Sequence, residues 1–158
     1  MTRHTLEQAL PTGGRILLDS STLIAYLDGG EHVSPVATHV VEELVRPGRN
    51  PSLVAMVTVM ELRVKPRQNE AQGYQDLLDF LTNSPHLSAV NVDLPVARDA
   101  AMFRAVFNLA TPDALIVATA RTQQAGYLGT NDARWKSRLK AIQSRAKVCY
   151  LADHLPWP

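Results

Sequence analysis

Cysteine is nearly absent: the 158 residues hold one, Cys149. No internal disulfide can form, and this usage fits a reducing compartment such as the cytosol. Cys149 lies in the apolar run Val148-Cys149-Tyr150-Leu151 and reads as a buried thiol rather than a reactive one. Long apolar runs are missing too. None approaches the ~20 residues that a membrane-crossing helix needs, and the N-terminus lacks the apolar centre of a secretory signal. The expectation is a soluble, cytoplasmic protein with no membrane partner. The five histidines form no ligand-spaced cluster, which argues against a zinc site. Internal repeats, low-complexity segments and interdomain linkers are also lacking.

What is present suits one domain. Apolar residues make up 46% of the chain, enough for a sizeable core. The net charge is only +1, but it is unevenly spread. Between Arg121 and Lys147 seven basic residues accompany one acid, Asp132; between Arg46 and Arg67 five accompany one acid, Glu61. Such runs are either solvated helix faces or surfaces that hold phosphates.

Short apolar runs alternate with helical patterns along the chain. Residues 1–14 end in Pro11-Thr12-Gly13-Gly14 and read as a mobile or loosely packed lead-in. Arg15-Ile16-Leu17-Leu18-Asp19 reads as a strand, Ser20-Ser21-Thr22 as cap residues and Leu23 to Leu27 as a helix. A helix from Ser34-Pro35 carries Val40, Val41, Leu44 and Val45 and stops near Pro47-Gly48. Leu53 to Val57, Leu87 to Val92, Tyr127 to Thr130 and Lys147 to Leu151 are the further strands. Between them fall a helix closing at Asn83, another from Pro95 to about Phe107, the stretch opened by Thr111-Pro112, and a basic helix from Ala133 to Ala141 holding Trp135 and Leu139. The alternation predicts an α/β fold with a mostly parallel sheet. Residues 15–152 form the domain and 153–158 a tail.

The stretch Thr111-Pro112-Asp113-Ala114-Leu115-Ile116-Val117-Ala118-Thr119-Ala120 predicts a core helix capped by Thr111, with Asp113 in its first turn. Asp19 and Asp132 leave the carboxyl ends of strands, and Glu61 lies about one turn into the helix after the second strand. Each has a structural alternative. An acid in a first turn stabilises the helix end, and Thr58 with Glu61 has capping-box spacing. In a parallel sheet, however, the loops beyond the strands' carboxyl ends form the binding crevice. Four acids converging there would repel one another unless a cation neutralised them. Oxygen ligands without His or Cys select Mg²⁺, with Mn²⁺ as the alternative. Mg²⁺ among basic residues points to phosphodiester hydrolysis in nucleic acid.

The sequence resembles the PIN-domain family of metal-dependent ribonucleases, most closely the toxins of VapBC-type toxin–antitoxin pairs. The resemblance runs from about Ile16 to Leu151. Its carriers are Leu17-Leu18-Asp19-Ser20-Ser21-Thr22-Leu23-Ile24, Val57-Thr58-Val59-Met60-Glu61-Leu62, the Thr111 to Ala120 stretch, and Thr130-Asn131-Asp132 with Trp135. It implies a three-layer α/β/α fold on a parallel five-stranded sheet and endonucleolytic cleavage of RNA. Asp19, Glu61, Asp113 and Asp132 would be the catalytic, metal-binding acids, supported by Thr130 and Asn131. It also implies a homodimer and a cognate antitoxin that covers the acidic site. Two features depart from the usual small toxin: the longer lead-in and the basic Leu62-Arg63-Val64-Lys65-Pro66-Arg67. Arg63, Lys65, Arg67, Arg134 and Lys136 are the candidate RNA-binding residues.

Other readings are a phosphatase with Asp19 as nucleophile and a non-catalytic RNA-binding or regulatory domain. The first lacks a second acid, since Ser21 stands where one is needed. A phospho-receiver would want paired acids after the first strand, and Asp19-Ser20 does not supply them. Trp135 and Trp157 could stack on bases, though Trp135 at helical spacing from Leu139 reads rather as a packing residue.

Overall fold

The computed structural model describes residues 2–64 and 70–158. Five strands, β1 (Ile16–Leu18), β2 (Ser52–Ala55), β3 (Leu87–Val90), β4 (Tyr127–Thr130) and β5 (Lys147–Tyr150), form one sheet in the order β3-β2-β1-β4-β5. Every pairing is parallel, with Leu17 opposite Leu53 on one side and Leu128 on the other. The helices are α1 (Thr2–Ala9), α2 (Ser20–Asp28), α3 (Ser34–His39), α4 (Met56–Val64), α5 (Glu70–Asn83), α6 (Leu94–Phe107), α7 (Thr111–Thr122) and α8 (Arg134–Ala141). A π-helical segment, Val40–Val45, extends α3, and Gly48 at φ +81° follows it, a backbone conformation that suits glycine. No described helix is long and apolar enough to cross a membrane.

Strand alternation builds two cores, one on each sheet face. Ile16, Leu18, Val54, Leu87 and Cys149 pack with Leu23, Val36, Leu44 and Leu77 on one side. Leu17, Leu53, Ala55 and Leu128 pack with Val96, Phe103, Val117, Trp135 and Leu139 on the other. This is the three-layer α/β/α arrangement expected from the sequence, with a sheet that is wholly rather than mostly parallel.

The expectation of a loosely packed lead-in is corrected. Residues Thr2–Ala9 are helical, and Leu6 and Leu10, one turn apart, are fully buried in the first core. Arg49 donates to the carbonyls of Leu10 (2.7 Å) and Glu7 (3.3 Å), satisfying helix-end acceptors. Asn50 ties down the following turn through the carbonyls of Pro11 and Gly14. Two leucines one turn apart, one inside an eight-residue helix and one just after it, are too few to register as a period. The tail is likewise packed. His154 is buried, its Nδ1 lies 3.3 Å from the Thr5 hydroxyl, and Trp157 sits against His39.

Candidate active site

The order 3-2-1-4-5 reverses direction at β1, so the crevice between the carboxyl ends of β1 and β4 is the topological switch point. Asp19 and Asp132 leave those two ends. Asp19 N–H donates to the Gly129 carbonyl (3.2 Å) and the Thr22 hydroxyl donates to the same oxygen (2.8 Å), stapling the start of α2 to β4.

Asp19 is buried, at 5% exposure, and both its carboxylate oxygens are engaged. Oδ1 accepts from the Ser21 hydroxyl (2.7 Å) and from Thr22 N–H (3.1 Å), and Oδ2 accepts from the Thr130 hydroxyl. The helix cap of α2 is therefore Asp19 itself, not the serines after it. Burial pushes its pKa above the ordinary carboxylate range. The three hydrogen bonds oppose that shift, and the nearby charge of Asp132 reinforces it. Ser21 Oγ also accepts from Asn131 N–H (2.8 Å), and Thr130 Oγ1 accepts from Asp132 N–H (2.9 Å). Each hydroxyl thus spends its one hydrogen on Asp19 and takes a backbone N–H in return.

Asp132 is held by Arg134. The guanidinium Nε reaches Oδ1 at 2.9 Å and Oδ2 at 3.1 Å, Nη2 reaches Oδ2 at 2.8 Å, and the Arg134 backbone N–H adds a bond of 3.0 Å to Oδ1. This pairing holds the Asp132 carboxyl below its usual range. Arg138 Nη1 lies 3.2 Å from Oδ2 of Asp113 and 4.0 Å from Oδ2 of Asp132, bridging two of the acids. Asp113 is in the first turn of α7, as its spacing predicts. The cap is Ala110, however, and Thr111 is already helical, its hydroxyl accepting from Arg104 instead.

Glu61 lies in the second turn of α4, because that helix begins at Met56, two residues before Thr58. The capping-box alternative for Glu61 is not realised, since Thr58 is inside the helix and its Oγ1 has no partner among the described residues. All four acids line one cleft of about 590 Å³, together with Asn131, Arg134, Trp135 and Arg138.

The donor chemistry of this cleft fits a hard divalent cation: four carboxylates, no His or Cys, and a buried Asn131 Oδ1 that has no partner among the described residues. Among those residues no three Asp, Glu, His or Cys side chains stand close enough to hold a cation as they are. Two of the acids face arginines instead.

Of the basic candidates, Arg134 borders the cleft but is turned onto Asp132. Lys136 pairs with Asp153 at 2.7 Å and lies over the Tyr150 ring. Arg63 is exposed on α4, and Lys65 and Arg67 lie outside the described residues. Trp135 is buried, as its spacing suggests. Cys149 is buried with its thiol pushed up to about 12, so it is an inert core residue. Sequence reasoning does not single out Ser21 or Arg138 as site residues. Ser21 looks like one more cap residue, and Arg138 like one charge in a basic run until α8 turns it toward Asp113.

Comparison with known proteins agrees with this architecture. Among solved structures, VapBC2 from Rickettsia felis, bound to a DNA fragment from its promoter, superposes with a TM-score of 0.65 at 15% identity, covering 86% of this chain and 98% of that one. FitAcB from Neisseria gonorrhoeae gives 0.63 at 20% identity over 87% and 98%. Mycobacterium tuberculosis VapC20, a sarcin-ricin loop cleaving toxin, gives 0.63 at 13% identity over 78% and 94%. At such identities the likeness is one of fold. No curated protein matches the sequence. The PIN domain model matches residues 16–140, the stretch that carries all four acids together with Ser21, Thr130 and Asn131, and the chain therefore belongs to the PIN-domain family.

Proposed function

We propose that this protein is a divalent-cation-dependent endoribonuclease, the toxin of a type II toxin–antitoxin pair, working in the cytoplasm with Mg²⁺ or Mn²⁺. The observation that carries this reading is the gathering of Asp19, Glu61, Asp113 and Asp132 around one cleft at the switch point of the sheet. A divalent ion there would neutralise the acids and stabilise charge on a phosphodiester under attack by water. The chain's own part is to hold and orient. Ser21, Thr22 and Thr130 fix the Asp19 carboxylate, and Thr130 and Asn131 set the turn that presents Asp132. Asp113 is offered from the start of α7, and Glu61 borders the cleft from α4. One of the solved neighbours, from Klebsiella pneumoniae, is a toxin–antitoxin complex, which supports a cognate antitoxin as partner. A homodimer is the working unit in this reading.

The test is cleavage of a labelled mixed RNA pool with Mg²⁺ or Mn²⁺ and with EDTA, beside Asp19→Asn and Asp113→Ala. Cutting that needs the metal and is lost in both variants supports the reading; cutting unchanged in both sinks it. A non-catalytic RNA-binding domain is the second reading, favoured by the arginines seated on two of the acids. It predicts salt-sensitive RNA binding with no cutting in any metal.

A further inference from the structure

Arg134 and Arg138 occupy an unusual position for residues of a basic helix. Both lie on α8 and both bring their guanidinium groups onto acids of the cleft, Arg138 mostly covered and Arg134 at the open rim, its side chain 72% exposed. Arg134 grips both oxygens of Asp132, while Arg138 reaches from Asp113 toward Asp132 with its guanidinium carbon 5.4 Å from the Trp135 ring centroid. Trp135 is itself buried, so the Arg138 guanidinium lies over a fixed ring. The remaining acids differ. Asp19 is satisfied by hydroxyls and a backbone N–H, and Glu61 makes no ion pair among the described residues.

We propose that Arg134 and Arg138 are resident counter-ions of the acidic cleft, which a divalent cation must displace from Asp132 and Asp113 in order to bind. This rests on the nuclease reading above and adds a competition within the chain. The physical case is one of exclusive use. At Asp132 both oxygens accept from a guanidinium, so its best lone pairs are engaged and a cation cannot share them without parting the ion pair; at Asp113 Arg138 stands at one oxygen, Oδ2. The described acids, moreover, are not grouped closely enough to hold a cation as they stand. Exchange therefore has to accompany binding. The benefit is stability of the unliganded protein, because neighbouring carboxylates with no counter-charge repel one another. Once displaced, the two guanidiniums remain at the rim of the same cleft.

A competitor and a scaffold make opposite predictions. If the arginines compete, Arg134→Gln and Arg138→Gln lower the melting temperature in EDTA yet tighten Mn²⁺ binding, measured by calorimetry without RNA. The expected gain is roughly threefold for each and about tenfold in the double variant, since both ion pairs are partly open to solvent and individually weak. Lys140→Gln, which removes a charge from the same helix without touching the acids, leaves the affinity unchanged. Arg134→Lys, which keeps the charge but loses the fork, falls between wild type and Arg134→Gln. If the wild type binds Mn²⁺ and the arginine variants bind it equally or more weakly, the exchange is overturned while the nuclease reading survives. The exchange fails in the same way if Lys140→Gln tightens binding as much as they do, for then only the net field matters. Mn²⁺ binding by the variants alone would support a strong form of the exchange. No binding by any of the proteins would overturn both the exchange and the metal-dependent nuclease.

Discussion

The hydroxyl of Thr130, at the end of β4, donates to Oδ2 of Asp19, at the end of β1, across a sequence separation of 111 residues. The Thr130 oxygen in turn accepts the N–H of Asp132. One side chain thus ties the most buried acid of the cleft to the backbone of another, at the point where the sheet reverses its strand order.

Thr130→Val keeps the shape and removes both roles. Asp19 loses a bond to its charged form, so its pKa rises further, and Asp132 N–H loses its acceptor. RNA cleavage should fall about 10- to 100-fold, the range expected when the support of a ligating group is lost. The activity profile should also shift to higher pH. Thr130→Ser, which retains the hydroxyl, should recover most of both. Equal losses in the two variants would show that the methyl packing, not the hydrogen bond, is what matters.

Asp19→Asn should raise the melting temperature in EDTA at neutral pH while abolishing cleavage. Burial has raised the folded-state pKa of Asp19 above its value in the unfolded chain. The stability linked to this group is therefore complete below the ordinary carboxylate pKa and is lost as pH rises through the raised value. Asparagine escapes that loss and remains a good helix cap. The gain should read as roughly 2–4 °C for each kcal/mol recovered and should vanish in acid. A lower melting temperature at neutral pH would show that the three hydrogen bonds outweigh burial.

Leu6→Ala tests whether the first helix belongs to the domain. Leu6 is fully buried among the residues of the first core, so truncation should cost about 2–5 kcal/mol. Chemical denaturation would measure it. A change under about 0.5 kcal/mol, typical of a surface position, would mean that α1 is detached in solution.

His154 should make the joint between α1 and the C-terminal turn acid-sensitive. Burial lowers its pKa against a smaller opposing pull from Asp153. For a histidine favoured in the neutral form, stability is present above pH ~6.5 and is lost as pH falls through the lowered folded value. Amide exchange in α1 and in Leu151–His154 should accelerate below that pH ahead of the sheet. His154→Gln, which cannot titrate there, should abolish the pH step. A step that survives in His154→Gln would place its origin elsewhere.

The acid segments were legible in the sequence because each rests on local chemistry. The run Ile16 to Leu18 is apolar enough to be buried on both faces of a sheet, and an acid directly after such a run must sit at the strand's end. Thr111-Pro112-Asp113 announces a helix start, although Thr111 is its first residue and Ala110 its cap. The alternation of strand and helix sufficed for an α/β fold on a mostly parallel sheet, since parallel strands need crossovers, while the three layers were implied by the family resemblance. Where sequence spacing misleads, the deciding contact lies far away along the chain. Leu6 and Leu10 have no visible period, and only the core they share with Val36 and Leu44 gives them a place to be buried. Thr58 with Glu61 has the spacing of a cap, but α4 starts two residues earlier. Arg134 and Arg138 look like two charges of a solvated helix. Which way they face depended on how Trp135 and Leu139 seat α8 in the second core. Local propensity, then, determined the elements and the acids at their ends. The order of the strands, the hydroxyls that meet at Asp19 and the arginines that meet Asp132 and Asp113 were decided only when the chain closed on itself, because hydrogen bonds and ion pairs act over a few ångströms in space and carry no mark in sequence spacing.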